Sequence, residues 1–253
     1  MGKIVSISNQ KGGVAKTTTA INLSAALAEM GKKVLLIDLD PQANSTSGLG
    51  IDVSSLAGTI YDVLINDVPL EHIVAETKYD NFFVAPASIQ LAGAEVELVN
   101  EIQREMKLKK SIGRIRENFD YAFIDTPPSL GLLTLNALSA ADSVLIPIQC
   151  EYYALEGLSQ LLNTVTLVQK HFNSSLEIEG FLLTMFDART NLSIQVVDEV
   201  KKHFPNKIFR SIIPRNVRLS EAPSHGKHIF DYDNRSKGAE LYRELAKEVT
   251  DHE

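Results

Sequence analysis

The chain has only one cysteine, Cys150, among its 253 residues, and it has no long hydrophobic run. A single cysteine excludes an internal disulfide and argues against a cysteine-built metal site within one chain. We expect Cys150 to be a small buried residue at a strand end. The longest apolar runs have the length of strands, and the first residues lack the basic-then-apolar pattern of an export signal. These absences predict a cytoplasmic protein that spans no membrane.

The sequence also lacks internal repeats, low-complexity tracts and a proline- or serine-rich linker. The loosest stretch, residues 54–59, is short enough to be a surface loop. With 44% hydrophobic residues the chain can bury a large core. We therefore predict one α/β domain covering residues 1–253.

Positive charge is scarce overall but concentrated in two places. The formal net charge is −7, which on its face argues against nucleic acid as a partner. Yet residues 200–220 contain six lysines and arginines and no acid, and residues 103–116 contain six against one acid. Each segment is either a solvated face or a site for an anionic partner.

Short β-branched runs alternate with longer helical patterns along the chain. Between the first two runs, an alanine-rich stretch places Leu23 and Leu27 four residues apart and ends near Gly31, a helix C-cap residue. Repeated strand–helix units predict a doubly wound, mostly parallel sheet with helices on both faces and a ligand site beyond the carboxyl ends of the strands. The predicted strands are residues 3–8, 33–38, 82–87, 121–126, 143–148 and 180–185.

Residues 9–18, "NQKGGVAKTT", lie between the first predicted strand and the helix, as a phosphate-binding loop does. Gln10 and Ala15 stand where the common pattern has glycines. The glycine pair leaves backbone N–H groups free to face phosphate oxygens, and the helix adds its positive dipole end. We predict that the nucleotide-binding residues of this loop are Lys11, Gly12, Gly13, Val14, Ala15, Lys16, Thr17 and Thr18.

Individual roles follow from the chemistry of nucleotide hydrolysis. Lys16 would reach the β- and γ-phosphates, the Thr17 hydroxyl would ligate Mg²⁺, and Thr18 would bond the α-phosphate. Asp125 ends a strand, where phosphate-loop enzymes hold Mg²⁺ or its water. Asp40 follows the strand that ends at residue 38, and we predict that it positions the attacking water, with a possible contact to Mg²⁺ through water.

Five stretches carry a family resemblance that runs nearly end to end. They are "KGGVAKTT", "LLIDLDPQANSTSGLG", "FIDTPPSLGLLTLNAL", "QCEYYALEGLSQLLNTV" and "IPRNVRLSEAPSHGKHI". Together they resemble the ParA/Soj-type chromosome- and plasmid-partitioning ATPases, whose loop is a deviant Walker A motif. The resemblance implies ATP and Mg²⁺ as cofactors, slow basal ATP hydrolysis, and a face-to-face homodimer in which Lys11 reaches the phosphates of the other subunit.

The resemblance also implies further contacts and partners. Pro214 and Asn216 fall where relatives hold adenine, although both are also ordinary turn residues. Non-specific double-stranded DNA would bind the ATP dimer, and a ParB-like centromere-binding protein would stimulate hydrolysis on the nucleoid. Ala15 departs from the family's usual glycine and is tolerable if its φ is negative. The predicted DNA contacts are Arg189 and Arg218, supported by Lys201, Lys202 and Lys207.

Relatives with the same loop perform other functions, and the sequence argues against some of these functions more strongly than against others. Nitrogenase iron proteins need two cysteines per subunit for their bridging cluster, so that function is excluded. A MinD-like membrane ATPase needs a basic amphipathic terminal helix, whereas the last helix here has a largely acidic polar side. We predict that its apolar stripe, Leu241, Leu245 and Val249, packs in the core and that the protein has no stable membrane association. A nucleotide-dependent switch with little turnover stays open.

Overall fold

A computed structural model of the chain contains one seven-stranded sheet with helices on both faces. The structure describes residues 2–151, 154–187 and 189–251, without the side chains of residues 154–157 and 192. Residues 152 and 153 of the fourth quoted stretch therefore lie outside the described residues. The strands are Lys3–Ile7 (β1), Val34–Asp38 (β2), Ala75–Glu76 (β3), Phe82–Ala85 (β4), Tyr121–Asp125 (β5), Ser143–Gln149 (β6) and Glu177–Thr184 (β7).

The helices lie in the connections between these strands and after the last strand. They are Lys16–Glu29 (α1), Asn44–Gly48 (α2), Ile60–Ile65 (α3), Leu91–Glu97 (α4), Lys107–Ile112 (α5), Leu132–Ala140 (α6), Ala154–His171 (α7), Asn191–His203 (α8), Val217–Glu221 (α9), Ile229–Tyr232 (α10) and Lys237–Asp251 (α11). Within the described residues, none is long and apolar enough to cross a bilayer.

The spatial order of the strands is β3-β4-β2-β5-β1-β6-β7, and all neighbours are parallel except β3 and β4. The predicted fold class is thus confirmed, and each of the six predicted strands is present. Strand β4 ends at Ala85, before Pro86, which has no N–H to continue the ladder. The two-residue strand β3 was missed because two residues carry no periodic signal.

Alternate residues of the strands face two separate apolar layers, which is why the strand sequences are hydrophobic throughout. In β2, Leu35 and Ile37 face one layer, whereas Val34 and Leu36 face the other. Helix α1 covers the second layer and ends as predicted, with Gly31 in the left-handed conformation at φ +82°. Cys150 directly follows β6 and is buried, also as predicted.

The last helix, α11, packs its apolar stripe against α1. Leu245 and Val249 have no exposed surface and Leu241 is 9% exposed, so the predicted core packing of this stripe is confirmed. Tyr242 on the same helix is fully buried, and its hydroxyl pairs with that of Thr19 at 3.2 Å. Helix α11 is thereby fixed beside the start of α1.

Because the central strands are parallel, their carboxyl ends meet at one edge. Ile7 of β1 lies opposite Asp125 of β5, and Asp125 lies opposite Asp38 of β2. Beyond β7, isolated bridges join Phe181 to Ile208 and Phe186 to Pro214 in the parallel sense. This edge stretch brings residues 214–216 to the same end of the sheet as the loop after β1.

Candidate functional site

The loop between β1 and α1 is held by side chains from neighbouring strands. The Asn9 amide donates to the Pro147 carbonyl at 2.7 Å, and the Thr184 hydroxyl donates to the Val14 carbonyl at 3.2 Å. Ala15, at the N-cap of α1, has no side-chain group to cap the helix. The first N–H groups of α1 are therefore available to an anion, and the helix dipole favours one there.

Lys16 begins α1 and lies in a cavity of about 320 Å³ that we call the phosphate cavity. Only 7% of Lys16 is exposed, and its ammonium donates to the Lys11 carbonyl at 3.3 Å. Burial lowers the pKa of Lys16, while the nearby Asp125 and Asp40 carboxylates act in the opposite direction. The phosphate cavity is lined by Gly12, Gly13, Ala15, Lys16, Thr17, Thr18, Asp40, Gln42, Asn44, Pro128 and Met185.

Two buried carboxylates, Asp38 and Asp125, lie in register at the ends of the neighbouring strands β2 and β5. Asp125 accepts hydrogen bonds from the Thr17 and Ser45 hydroxyls, both at 2.8 Å, through the same oxygen. Asp38 accepts from the Thr46 hydroxyl at 2.7 Å and from its N–H at 2.8 Å. Burial raises the pKa of Asp38 to about 6 and that of Asp125 to about 7, the latter helped by the negative charge of Asp38.

This arrangement suits a hard divalent cation. The second oxygen of Asp125, Oδ1, is buried and has no hydrogen-bond partner among the residues that the structure describes. Such a group is costly unless something compensates it, and carboxylate and hydroxyl oxygens are ligands that Mg²⁺ accepts. Asp125 and the adjacent Thr17 hydroxyl fit the predicted magnesium site, since a cation there would offset the burial of both carboxylates. Asp40 lines the phosphate cavity, where its carboxylate accepts the Gln42 N–H at 2.9 Å.

A second cavity of about 290 Å³, which we call the base cavity, adjoins the first. Both are lined by Ala15, Thr18 and Met185, so a ligand could extend from one into the other. Pro214 and Asn216 line the base cavity. Asn216 is also the N-cap of α9, because its Oδ1 accepts the Arg218 N–H at 2.9 Å. The two interpretations of Asn216, turn residue and ligand contact, are therefore compatible, since its amide nitrogen is separate from the capping oxygen.

The cations predicted to contact DNA fall into two groups. Arg189 follows β7 and Arg218 lies in α9, both toward the carboxyl edge of the sheet. Lys201 and Lys202 lie in the last turn of α8, roughly 15–17 Å from its start at 1.5 Å per residue. Lys207 donates to the Ile178 carbonyl at 2.9 Å, near the beginning of β7. The three lysines are thus displaced from the two arginines.

Several site residues were not identified from the sequence. Ser45 and Thr46 hold the two buried carboxylates, and Met185 lines both cavities. The hydroxyl run "STS" shortly after Asp40 was the available signal for the first two. No sequence signal identified Met185, because its position depends on how the end of β7 packs against the loop between β1 and α1.

Ala15 does not meet the condition under which it was expected to be tolerable. Its φ is +66°, in the left-handed region, rather than negative. For a residue with a Cβ this conformation costs roughly 1–2 kcal/mol, which explains why glycine suits the position better. The loop therefore keeps its shape here at some expense of stability.

Comparisons with known proteins find one family model and several similar proteins. A family model described as an AAA domain matches residues 2–178. The chain is 64% identical over 249 residues to the sporulation initiation inhibitor protein Soj of Bacillus subtilis, covering 98% of each chain. It is 56% identical to the chromosome partitioning protein ParA of Myxococcus xanthus, covering 98% of this chain and 88% of the relative.

A solved structure shares the fold along the whole chain. It is that of cobyrinic acid a,c-diamide synthase from Mycobacterium smegmatis with bound ADP and magnesium. The similarity has a TM-score of 0.87 at 39% identity and covers 100% of this chain and 95% of that one.

Replacing Ala15 with glycine is expected to stabilise the nucleotide-free protein. Relief of the left-handed conformation outweighs glycine's greater unfolded-state entropy, by about 0.5–1 kcal/mol net. Ala92→Gly, at an exposed position in the regular helix α4, is the matched control and should destabilise by about 0.5–1 kcal/mol. Urea unfolding measures both. Equal losses of stability in the two variants would contradict the strain at Ala15.

Proposed function

The chain belongs to the family of Soj- and ParA-type chromosome-partitioning ATPases, and we propose that it is an ATP-dependent dimerisation switch that holds DNA until it hydrolyses its nucleotide. The main support is the separation of the two loop lysines. Lys16 lines the phosphate cavity, whereas Lys11 is outside that lining and pairs with Glu151 at 3.2 Å. This separation supports a role for Lys16 at the nucleotide of its own subunit and a different role for Lys11.

In the proposed binding mode, ATP would occupy both adjoining cavities. Its phosphates would lie against the start of α1, within reach of Lys16 and Thr18. Adenine would enter the base cavity between Pro214 and Asn216. Thr17 and Asp125 would hold Mg²⁺, which supplies compensation for phosphate charge. The loop backbone contacts would come from Lys11, Gly12, Gly13, Val14 and Ala15.

Hydrolysis needs a positioned water and compensation for charge on the transferred phosphoryl group. The Asp40 carboxylate lines the phosphate cavity and would orient the water that attacks the γ-phosphorus, yielding ADP and phosphate. Lys11 of one subunit would reach the phosphates bound to its partner. A cation delivered across the interface makes dimerisation depend on ATP in both subunits, because only then do phosphates offset the added positive charge.

DNA would bind the ATP dimer through exposed arginines near the carboxyl edge. Arg189 is 89% exposed along its side chain and pairs with Asp187 at 2.6 Å, while Arg218 pairs with Glu221 at 3.0 Å. DNA phosphates would compete with these acids, so a single subunit binds weakly. Two subunits double the contacts, which strengthens binding and its salt dependence together. Lys201, Lys202 and Lys207 would act as outlying support.

We further propose that the protein acts on the nucleoid with a ParB-like centromere-binding partner. Stimulated hydrolysis would separate the dimer and release DNA near the partner's site. The MinD-like alternative finds less support, because the apolar stripe of α11 is buried against α1 and cannot also enter a membrane interface. ATP hydrolysis measured with and without DNA and partner separates a working ATPase from a low-turnover switch.

Three variants test the division of labour around the phosphates. Lys16→Ala should abolish ATP binding, because it removes the cation inside the phosphate cavity. Lys11→Ala should bind ATP but stay monomeric, and Asp40→Ala should dimerise with ATP but not hydrolyse it. Binding, size and phosphate release are measured on each. Lys32→Ala, at the opposite end of α1, is the control that should match the parent. A Lys11→Ala protein that dimerises normally would contradict the role across the interface.

Two substitutions separate the base contact of Asn216 from its capping role. Asn216→Asp keeps an oxygen for the Arg218 N–H but loses the amide donor, whereas Asn216→Ala loses both. We expect both to weaken ATP more than GTP, by roughly tenfold for one buried hydrogen bond to the base. Only Asn216→Ala should also lower the unfolding free energy, by about 1 kcal/mol. If Asn216→Asp binds ATP as tightly as the parent does, Asn216 caps α9 but does not contact the base.

Opposite charge changes around one arginine test the DNA surface. Arg189→Glu should weaken DNA binding by the ATP dimer, since each lost phosphate contact costs about tenfold near 100 mM salt. Asp187→Asn should strengthen it, because it frees the same guanidinium. Arg218→Glu should behave as Arg189→Glu does.

Salt-dependent binding to a random duplex measures these effects, with ATP-dependent dimer size as the control. If all three variants bind as the parent does, the DNA surface lies elsewhere. The basic segment around residues 104–116 is then the next candidate, although its Lys107 already pairs with Asp67 and Glu101.

A further inference from the structure

We infer that Glu151 is a positioning residue that holds Lys11 within its own subunit until a second ATP-loaded subunit arrives. The inference rests on the proposed function, because it concerns the lysine assigned to act across the dimer. It adds a contact that opposes dimerisation, in a segment outside the phosphate loop.

Three side chains from separate segments converge on the Glu151 carboxylate. Gln149, at the end of β6, donates its amide to Oε1 at 2.6 Å. The Lys11 ammonium lies 3.2 Å from Oε2, and the Arg215 guanidinium lies 3.6 Å from Oε1. The Glu151 N–H also donates to the Gln149 carbonyl at 2.8 Å, which fixes the turn that carries the carboxylate. We call these four residues the Glu151 cluster.

The contact directs Lys11 away from its own nucleotide site. Lys11 and Lys16 are five residues apart in one loop, yet only Lys16 lines the phosphate cavity. The backbone of Lys11 is held by the Asn9 side chain, which accepts the Lys11 N–H at 3.0 Å. With the backbone fixed at this point, Glu151 determines the direction of the long, flexible side chain.

The Lys11–Glu151 pair is strong enough to orient Lys11 and weak enough to exchange. Lys11 and Glu151 are 30% and 47% exposed along their side chains. Exposed pairs of this kind shift an equilibrium by up to about fivefold. The phosphates of an ATP bound to a second subunit carry more negative charge than one carboxylate, so Lys11 would leave Glu151 for them.

The base cavity is connected to the same carboxylate. Arg215 lines that cavity and contacts Glu151. A nucleotide base entering the cavity contacts the segment that carries Arg215. Binding of the base can therefore weaken the hold of the Glu151 cluster on Lys11, so that Lys11 exchanges more readily when the second ATP-loaded subunit arrives.

Replacing Glu151 with glutamine tests the holding contact. Glu151→Gln keeps the size and the hydrogen bond to Gln149 but removes the charge that attracts Lys11. Two such contacts must break per dimer, so the dissociation constant of the ATP dimer should fall about two- to twenty-five-fold. Sedimentation at several protein concentrations measures it. Glu29→Gln is the control, because it removes a similarly exposed pair, with Arg243, at the far end of α1. An unchanged or weaker Glu151→Gln dimer would overturn the inference.

A double variant assigns the effect to Lys11. Glu151→Gln combined with Lys11→Ala should remain monomeric with ATP, because the gain acts only through Lys11. If the double variant dimerises as tightly as Glu151→Gln, then Glu151 repels the second subunit directly and does not act by holding Lys11. If Lys11→Ala alone dimerises normally, the proposed role across the interface fails, and this outcome is distinct from failure of the Glu151 contact.

Chemical labelling reports on the contact without any dimer. In nucleotide-free protein, acylation of the Lys11 amine by acetic anhydride should be faster in Glu151→Gln than in the parent, by up to about fivefold. Lys32 serves as the internal reference in the same digest. Equal Lys11 labelling in parent and variant would show that Glu151 does not hold the amine, whatever the dimer measurements give.

Discussion

Coverage of both faces of the sheet by apolar layers is the constraint on which the site depends. Polar groups of a sheet buried in this way can be accommodated only where strands end. At the carboxyl edge, β1, β2 and β5 end side by side and bring the phosphate loop against Asp38 and Asp125. The same parallel arrangement exposes the start of α1 at that edge. The position of the site therefore follows from the topology, before any particular side chain is considered.

The buried charged groups at this edge are suited to a ligand that carries both positive and negative charge. Burial raises the pKa of both carboxylates and lowers that of Lys16, so each group is held where its ionised form is disfavoured. A phosphate chain with its metal ion, bound as proposed, would reverse this, because the cation would favour ionised Asp125 and the phosphates would favour charged Lys16. By thermodynamic linkage, a ligand that binds only the folded protein raises its free energy of unfolding, and the increase grows with the affinity of the ligand.

Much of the fold and part of the site could be predicted from sequence because the signals were local. Apolar runs identified six strands, and Gly31 identified the end of α1. The glycine–lysine–threonine pattern located the loop. Other features depend on contacts between distant segments: the positive φ of Ala15, the shared wall of Met185 and the convergence on Glu151. A two-residue strand such as β3 forms only because β4 is beside it. Local propensity cannot reveal such features.

The net negative charge of the chain has a consequence for a protein that we propose to act on polyanions. Lys11 pairs with Glu151, Arg189 with Asp187, and Arg218 with Glu221, so the cations proposed to meet phosphate are first neutralised within their own subunit. These pairs are substantially exposed, and such pairs contribute little net stability. For each cation, replacing its carboxylate partner with a phosphate therefore costs little free energy. One such replacement alone also gains little binding free energy. In the proposed mechanism, only two ATP-loaded subunits on one duplex would make enough of these exchanges at once for the complex to persist. Hydrolysis in either subunit would then remove part of that binding free energy.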